Sequence, residues 1–228
     1  NPVTHIEVAD REIRYITARD GKEYRADRYI SAVHPCHLFK LLGEGAFPRS
    51  YISRLESIPN SYSAFTVFIA LKEKTLPYIN HTCYCQDDYG LTWEYSNQST
   101  VWPHGFMYMT PPATGDDKYA RTLIITTPMH FDMTSRWEDT KTGHRGKEYE
   151  EWKMECAGKL IDKTERVIPG LKESIKHIYT ASPLTIRDYY NSKQGSMYGF
   201  LKDCEQMTLS QVPIYTKIKN LLLTGQNI

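Results

Sequence analysis

The residues best equipped for chemistry in this chain are few. His34-Pro35-Cys36-His37 and Cys83-Tyr84-Cys85 carry metal-type ligands. Neither has the two-residue gap and second ligand pair of a zinc site, and Pro35 restricts the first cluster, so no metal site is expected. His104 and the run Met129-His130-Phe131-Asp132 fall at the ends of apparent strands, where a general acid or base could sit, although an isolated histidine among aromatic residues more commonly packs. No Ser, His and Asp set and no Cys and His set assembles, which argues against hydrolase chemistry and leaves catalytic residues unassigned.

Three blocks near the end are more distinctive: Ser182-Pro183-Leu184-Thr185, Gly195-Ser196-Met197-Tyr198-Gly199, and Leu221-Leu222-Leu223-Thr224-Gly225-Gln226-Asn227. Glycine lets a flat ligand approach the backbone with no Cβ in the way, and it accepts unusual dihedrals. An apolar strand ending in Gly and polar residues sets backbone N–H groups at a turn where a phosphate could be held. Each block also has a plainer account when taken singly. Ser182 reads as a helix N-cap with Pro183 at the first helical position, and the leucines followed by Thr-Gly as a buried strand and turn.

The elements that must position these blocks follow from periodicity. Residues 13–17 alternate apolar and polar, Asp20-Gly21 supplies a tight turn, and residues 24–33 form the expected partner strand. Residues 36–42 and 48–58 read as short helices, with Gly43 as a stop and Pro48 in an opening turn. Strands are expected over 62–71, 81–86, 92–96, 106–110 and 121–128, each rich in aromatic or β-branched residues. Serial strands with little helix between them indicate an antiparallel sheet, one face buried and the other available to line a cavity. After a loop over 143–146, Tyr149, Trp152, Cys156, Leu160 and Val167 recur at helical spacing until Pro169-Gly170 breaks the helix. The class is α+β, a mostly antiparallel sheet with flanking helices.

Composition narrows the partners. Lys plus Arg number 28 against 27 Asp plus Glu, a formal charge of +1, with no dense basic run, so nucleic acid is not an expected partner. Five cysteines, an odd number in a chain of 228 residues, suit a reducing, cytoplasmic compartment better than a disulfide framework. No stretch approaches the roughly 20 apolar residues of a membrane span, so membrane contact is expected to be peripheral at most. Seventeen tyrosines, four tryptophans and seven methionines suit a pocket for an elongated apolar ligand, though most of them must build the core. No obligate protein partner is evident.

In order and spacing, residues 24–35 and 182–228 resemble the C-terminal part of the phytoene desaturase, carotenoid isomerase and retinol saturase-like FAD-dependent oxidoreductases. The resemblance implies the substrate domain of a two-domain flavoprotein. Residues 1–33 would belong or connect to the FAD domain, 34–215 would bind substrate, and 216–228 would be a truncated strand returning to the FAD domain. It further implies that Gly225 and Gln226 contact FAD while Pro183, Tyr198 and Gly199 border the flavin ring. Nowhere does a strand lead into Gly-x-Gly-x-x-Gly, the fingerprint that positions a dinucleotide pyrophosphate. The chain also begins without Met, so the reading expects an excised piece that neither holds FAD nor is active alone. The substrate would be an apolar polyene or isoprenoid, desaturated or saturated at a C–C bond. Two alternatives stay open, a flavin-dependent isomerase without net redox and a non-catalytic module that binds an apolar ligand or a partner.

Overall fold

A computed structural model describes residues 1–88, 90, 102–112, 118–205 and 207–228. The strand expected over 92–96 lies outside the described residues. Two compact units emerge: a terminal unit of Asn1–Ser61 with Tyr198–Ile228, and a central unit of Tyr62–Met197. Residues 34–61 and 198–215 therefore pack with the two chain ends, whereas the sequence reading set its boundaries at 33/34 and 215/216.

In the terminal unit, β1 (Val3–Ala9) and β2 (Glu12–Ala18) form an antiparallel hairpin. Its two-residue loop, Asp10-Arg11, has positive φ at both positions (53° and 60°), the mirror-image turn whose twist matches that of paired strands. The Asp20-Gly21 turn forms as expected, with Gly21 at φ 80° donating its N–H to the Ala18 carbonyl. The strand expected over 24–33 does not form as one piece, however. Only β3 (Glu23–Tyr24) returns along β2, because the chain bends after it, with the Ala26 N–H donating to the Tyr29 hydroxyl at 3.0 Å. Farther on, β4 (Tyr29–Ser31) pairs in parallel with β10 (Leu221–Leu223).

The side chain of Asn220 ties the two sheets of this unit together. Its amide accepts from the Ile13 N–H at 2.8 Å and donates to the Ile13 carbonyl at 3.0 Å, standing in for a neighbouring strand. Helix α1 (Pro35–Leu42) begins at His34, whose Nδ1 accepts from the Cys36 N–H, and ends at Gly43 with φ 73°. Helix α2 (Arg49–Ser57) follows Pro48, and a short α6 (Met207–Ser210) lies near the end. Leu38, Leu55, Phe200, Ile218 and Leu221 make the centre of the unit's core.

The central unit is a five-stranded sheet, antiparallel throughout, in the order β6-β7-β8-β5-β9. Four strands fall where periodicity puts them: β5 (Ser63–Leu71), β6 (Cys83–Gln86), β7 (Gly105–Met109) and β8 (Thr122–Met129). The fifth, β9 (Ile175–Ala181), escapes sequence reading, since Lys176-His177 interrupts its apolar pattern at an edge position. It follows a one-turn helix, α4 (Leu171–Ser174).

Helix α3 (Lys147–Glu165) covers one face of the sheet, burying Cys156, Ala157, Leu160 and Ile161 against Phe65, Val67, Ile69, Leu123 and Ile125. Past its end, the Glu165 carboxylate accepts from the N–H groups of Gly170 and Lys172, both at 2.8 Å, which holds the turn that Pro169-Gly170 starts. Among the described residues no helix is long and apolar enough to cross a membrane.

Candidate functional site

Four of the five residues that the resemblance implies at the flavin, Tyr198, Gly199, Gly225 and Gln226, lie in the terminal unit. Parallel pairing of β4 with β10 sets Ser31-Ala32 beside Thr224-Gly225, with the Thr224 N–H donating to the Ser31 carbonyl at 2.9 Å. In open α/β sheets, ligands bind beyond the carboxyl ends of such strands. Gly225 takes φ 100°, a value side-chain-bearing residues rarely adopt, and a Cβ there would still keep 3.8 Å from the Ala32 carbonyl oxygen. Its conformation therefore requires glycine, not a shortage of space. Gln226 is exposed beside it.

Asn227, which sequence reasoning passed over, organises this end of the unit. It is buried, and its Oδ1 accepts from the Phe200 N–H at 3.2 Å, directly against Gly199. Gly199 sits at φ 70°, and its carbonyl accepts from the Ser61 N–H at 2.8 Å. The Tyr198 N–H donates to Ser61 Oγ at 3.0 Å while its ring stands exposed. Phe200 lies edge-on to His34 with centroids 4.7 Å apart, and Lys202 Nζ donates to the Asn227 carbonyl at 3.4 Å. Partial burial pulls the Lys202 ammonium below the ordinary lysine range. Tyr198, Gly199, Gly225 and Gln226 are thus held in one unit, joined through Asn227.

Pro183 belongs to the central unit, at the first turn of α5 (Pro183–Tyr190). The plainer account of Ser182-Pro183 holds: Ser182 Oγ accepts from the Leu184 N–H, and Thr185 Oγ1 in turn accepts from the Ser182 N–H. Gly195 passes so close to this helix start that a Cβ would lie 2.2 Å from the Pro183 carbonyl oxygen, and its own carbonyl accepts from Ser63 Oγ at 2.6 Å. Strand β5, helix α5 and the Gly195 loop are locked together by these contacts.

The sheet face away from α3 is the second notable surface. Alternation brings Tyr84, Met107, Met109, Ile124, Phe68 and Tyr179 onto it, and the registers make rows of Tyr84–Met107–Thr126–Thr66 and Met109–Ile124–Phe68–Tyr179. Tyr84 and Tyr179 are 76% and 64% exposed, and the others are partly so. Thr66 and Thr126 hydrogen-bond each other at 3.1 Å. His130 continues the alternation past the end of β8 with extended dihedrals.

Elsewhere the clusters are structural. Arg145, its side chain 4% exposed, donates to the Thr140 carbonyl at 2.9 Å and pairs with Asp188. Burial works against the Asp188 charge, yet the Thr142 hydroxyl, Arg187 and Arg145 together hold its carboxyl below the usual range. A hydrogen bond involving Cys83, together with burial, pushes the Tyr108 phenol up to about 12, and burial raises the Cys85 thiol. No group of three or more His, Cys, Asp or Glu side chains among the described residues could hold a metal ion.

No protein-family model matches the chain. It is similar to the all-trans-retinol 13,14-reductase of Danio rerio, 24% identical over 110 residues that make 47% of this chain and 18% of that protein. It is likewise similar to the all-trans-retinol 13,14-reductase of Rattus norvegicus, 27% identical over 120 residues, 50% of this chain and 20% of that protein. These matches thus span about a fifth of the relatives' own length. Among solved structures, an oxidoreductase from Methanosarcina mazei aligns with 99% of this chain and 43% of its own, with a TM-score of 0.56 at 13% identity, which is a likeness of fold.

Proposed function

We propose that the chain forms part of a flavin-dependent oxidoreductase that changes the saturation of a C–C bond in an apolar polyene, with a retinoid as the leading substrate. The observation that carries this reading is the parallel pairing of β4 with β10, which brings Gly225 beside Ala32 just past the carboxyl ends of adjacent strands. Two parallel strands are fewer than a sheet needs to stand alone, and parallel sheets are normally covered on both faces. Ile30, at the middle of β4, is 71% exposed. Helices and further strands of a longer polypeptide would cover this face and extend the sheet, and they would bring the dinucleotide fingerprint that this sequence lacks.

Within that reading, Gly225 and Gln226 hold the flavin, and Ala32, which lies beside Gly225, leads three residues later into α1. Tyr198 and Gly199 are kept at the same end by Asn227. The flavin, when bound, takes up or delivers the hydride. This chain's own part is to bind, orient and exclude water. The Tyr84, Met107, Met109, Ile124, Phe68 and Tyr179 face is the apolar wall, whose flat rings and flexible thioethers suit a conjugated chain. Partial similarity to two all-trans-retinol 13,14-reductases supports the choice of substrate class.

The test is the visible absorption spectrum of the purified 228-residue chain and of the product of the whole gene. Flavin bands in the longer product alone are expected. Bands in neither would abandon the flavoprotein reading in favour of an apolar-ligand module.

A further inference from the structure

Two arginines of the central unit share a single carboxylate beside a surface cavity. Asp188 Oδ2 accepts from the Thr142 hydroxyl and from Arg145, and Oδ1 accepts from Arg187 Nε at 2.9 Å, so the carboxylate is fully engaged. A cavity of about 430 Å³ opens at this cluster, lined by Thr140, Lys141, Thr142, Arg187, Asp188 and Asn191. We infer that the cavity binds the phosphate group of a phosphomonoester, held by the Arg187 guanidinium and the Lys141 ammonium. The inference is independent of the flavin reading and holds or fails without it.

The charges do not balance in the chain alone. Arg145, Arg187 and Lys141 bring three positive charges to the cluster and Asp188 brings one negative charge, a surplus of two. Glu138 and Asp139 are near in sequence, but neither lines the cavity; the Glu138 carbonyl accepts from Arg187 Nη1 at 2.8 Å. The C-terminal end of α5 offers about half a negative charge, which leaves most of the surplus in place. Nor is the surplus freely solvated, since the Arg145 side chain is 4% exposed and that of Arg187 25%. Cations so placed are screened little by salt and favour an anion at the cavity mouth.

The remaining donors suit an oxyanion. Arg187 Nη2 and the Lys141 ammonium have no hydrogen-bond partner among the described residues. Asn191, which closes α5 in the left-handed conformation at φ 52°, adds its amide to the lining. A guanidinium with one edge free and an ammonium on a flexible stem are standard phosphate donors. A phosphomonoester carries a charge of about −1.5 to −2 at pH 7, which answers the surplus better than the single charge of a carboxylate. The cavity also falls within the size range of small-molecule sites, so it has room for an organic body beyond the phosphate.

Calorimetric titration of the 228-residue chain with glycerol 3-phosphate, at constant ionic strength set by chloride, tests this. Saturable binding is expected in the wild type. Lys141→Met and Arg187→Met should each weaken it about tenfold or more, the worth of one charge-assisted hydrogen bond, while Lys176→Met, at the exposed start of β9, should leave it unchanged. Thermal melts identify any variant that has lost its fold, and Lys141, being exposed, keeps the test open if Arg187→Met unfolds. Cosedimentation with phosphatidylcholine vesicles, with and without phosphatidic acid, then separates the two sources of such a phosphate. Retention on phosphatidic acid vesicles that Lys141→Met abolishes assigns the site to a lipid headgroup, and titration without retention assigns it to a soluble phosphomonoester. Binding to neither probe, or binding that Lys141→Met leaves unchanged, would overturn the inference.

Discussion

The Asn227 carboxamide occupies the space that a side chain at residue 199 would need. A Cβ on Gly199 would lie 2.0 Å from Asn227 Oδ1, while that same oxygen accepts from the Phe200 N–H at 3.2 Å. Two segments of the terminal unit are thereby fitted to each other by the absence of one side chain and the reach of another.

Gly199→Ala should therefore destabilise the chain by about 2–4 kcal/mol, from positive-φ strain and overpacking together. Asn227→Ala should cost about 1–3 kcal/mol by orphaning the Phe200 N–H. Because the shorter residue 227 makes room for the new methyl, the double variant should fall short of the sum. Urea denaturation of the four proteins checks this, and additivity within error would show that the two residues do not meet.

Leu160 is fully buried between α3 and the sheet. Leu160→Ala should cost about 2–5 kcal/mol through lost burial and the cavity left behind. Met154, half exposed on the same helix, should tolerate Ala within about 0.5 kcal/mol. Denaturant midpoints at constant m-value provide the comparison.

Asp188 ionises more readily in the folded chain than when unfolded. The sign follows: its stabilisation is complete above the unfolded carboxylate pKa of about 3.9 and disappears as pH falls through the lower folded value. Asp188→Asn should lose about 3 kcal/mol at pH 7, chiefly by leaving the buried Arg145 without its counter-charge. Below pH 4 the gap between variant and wild type should close. A gap that stays constant from pH 7 down to pH 3 would mean that the pair does not stabilise through charge.

Burial pushes the Cys156 thiol up to about 12, and the side chain is nearly inaccessible, whereas Cys204 is exposed. Reactivity follows the accessible thiolate. Iodoacetamide at pH 8 should label Cys204 within minutes and Cys156 only on unfolding, read by peptide mass spectrometry.

Much of the central sheet was legible because a strand with one buried face writes its alternation into the sequence, as residues 63–71 and 122–129 do. The same holds for α3, where apolar spacing, Pro169 and Gly170 act over a few residues. Strand β9 was not legible, since an edge strand needs no strict pattern and Lys176-His177 reads equally well as loop. Within the candidate site, Gly199 and Gly225 stood out through the family resemblance and the close approach that glycine allows, and both prove to take positive φ. Asn227 and Asn220 carried no such signal, because an asparagine that bonds distant backbone looks in sequence like any turn residue.

Local pattern, then, determined the mostly antiparallel sheet, the long covering helix and the breaks at Gly43 and Pro169-Gly170, all of which depend on neighbours a few residues away. Tertiary structure alone decided that β4 leaves the hairpin to run parallel with β10 and that Arg145 finds Asp188. These relationships join residues far apart in the chain. Their formation depends on register and on the burial gained when long loops close, and neither quantity is written in any short stretch of sequence.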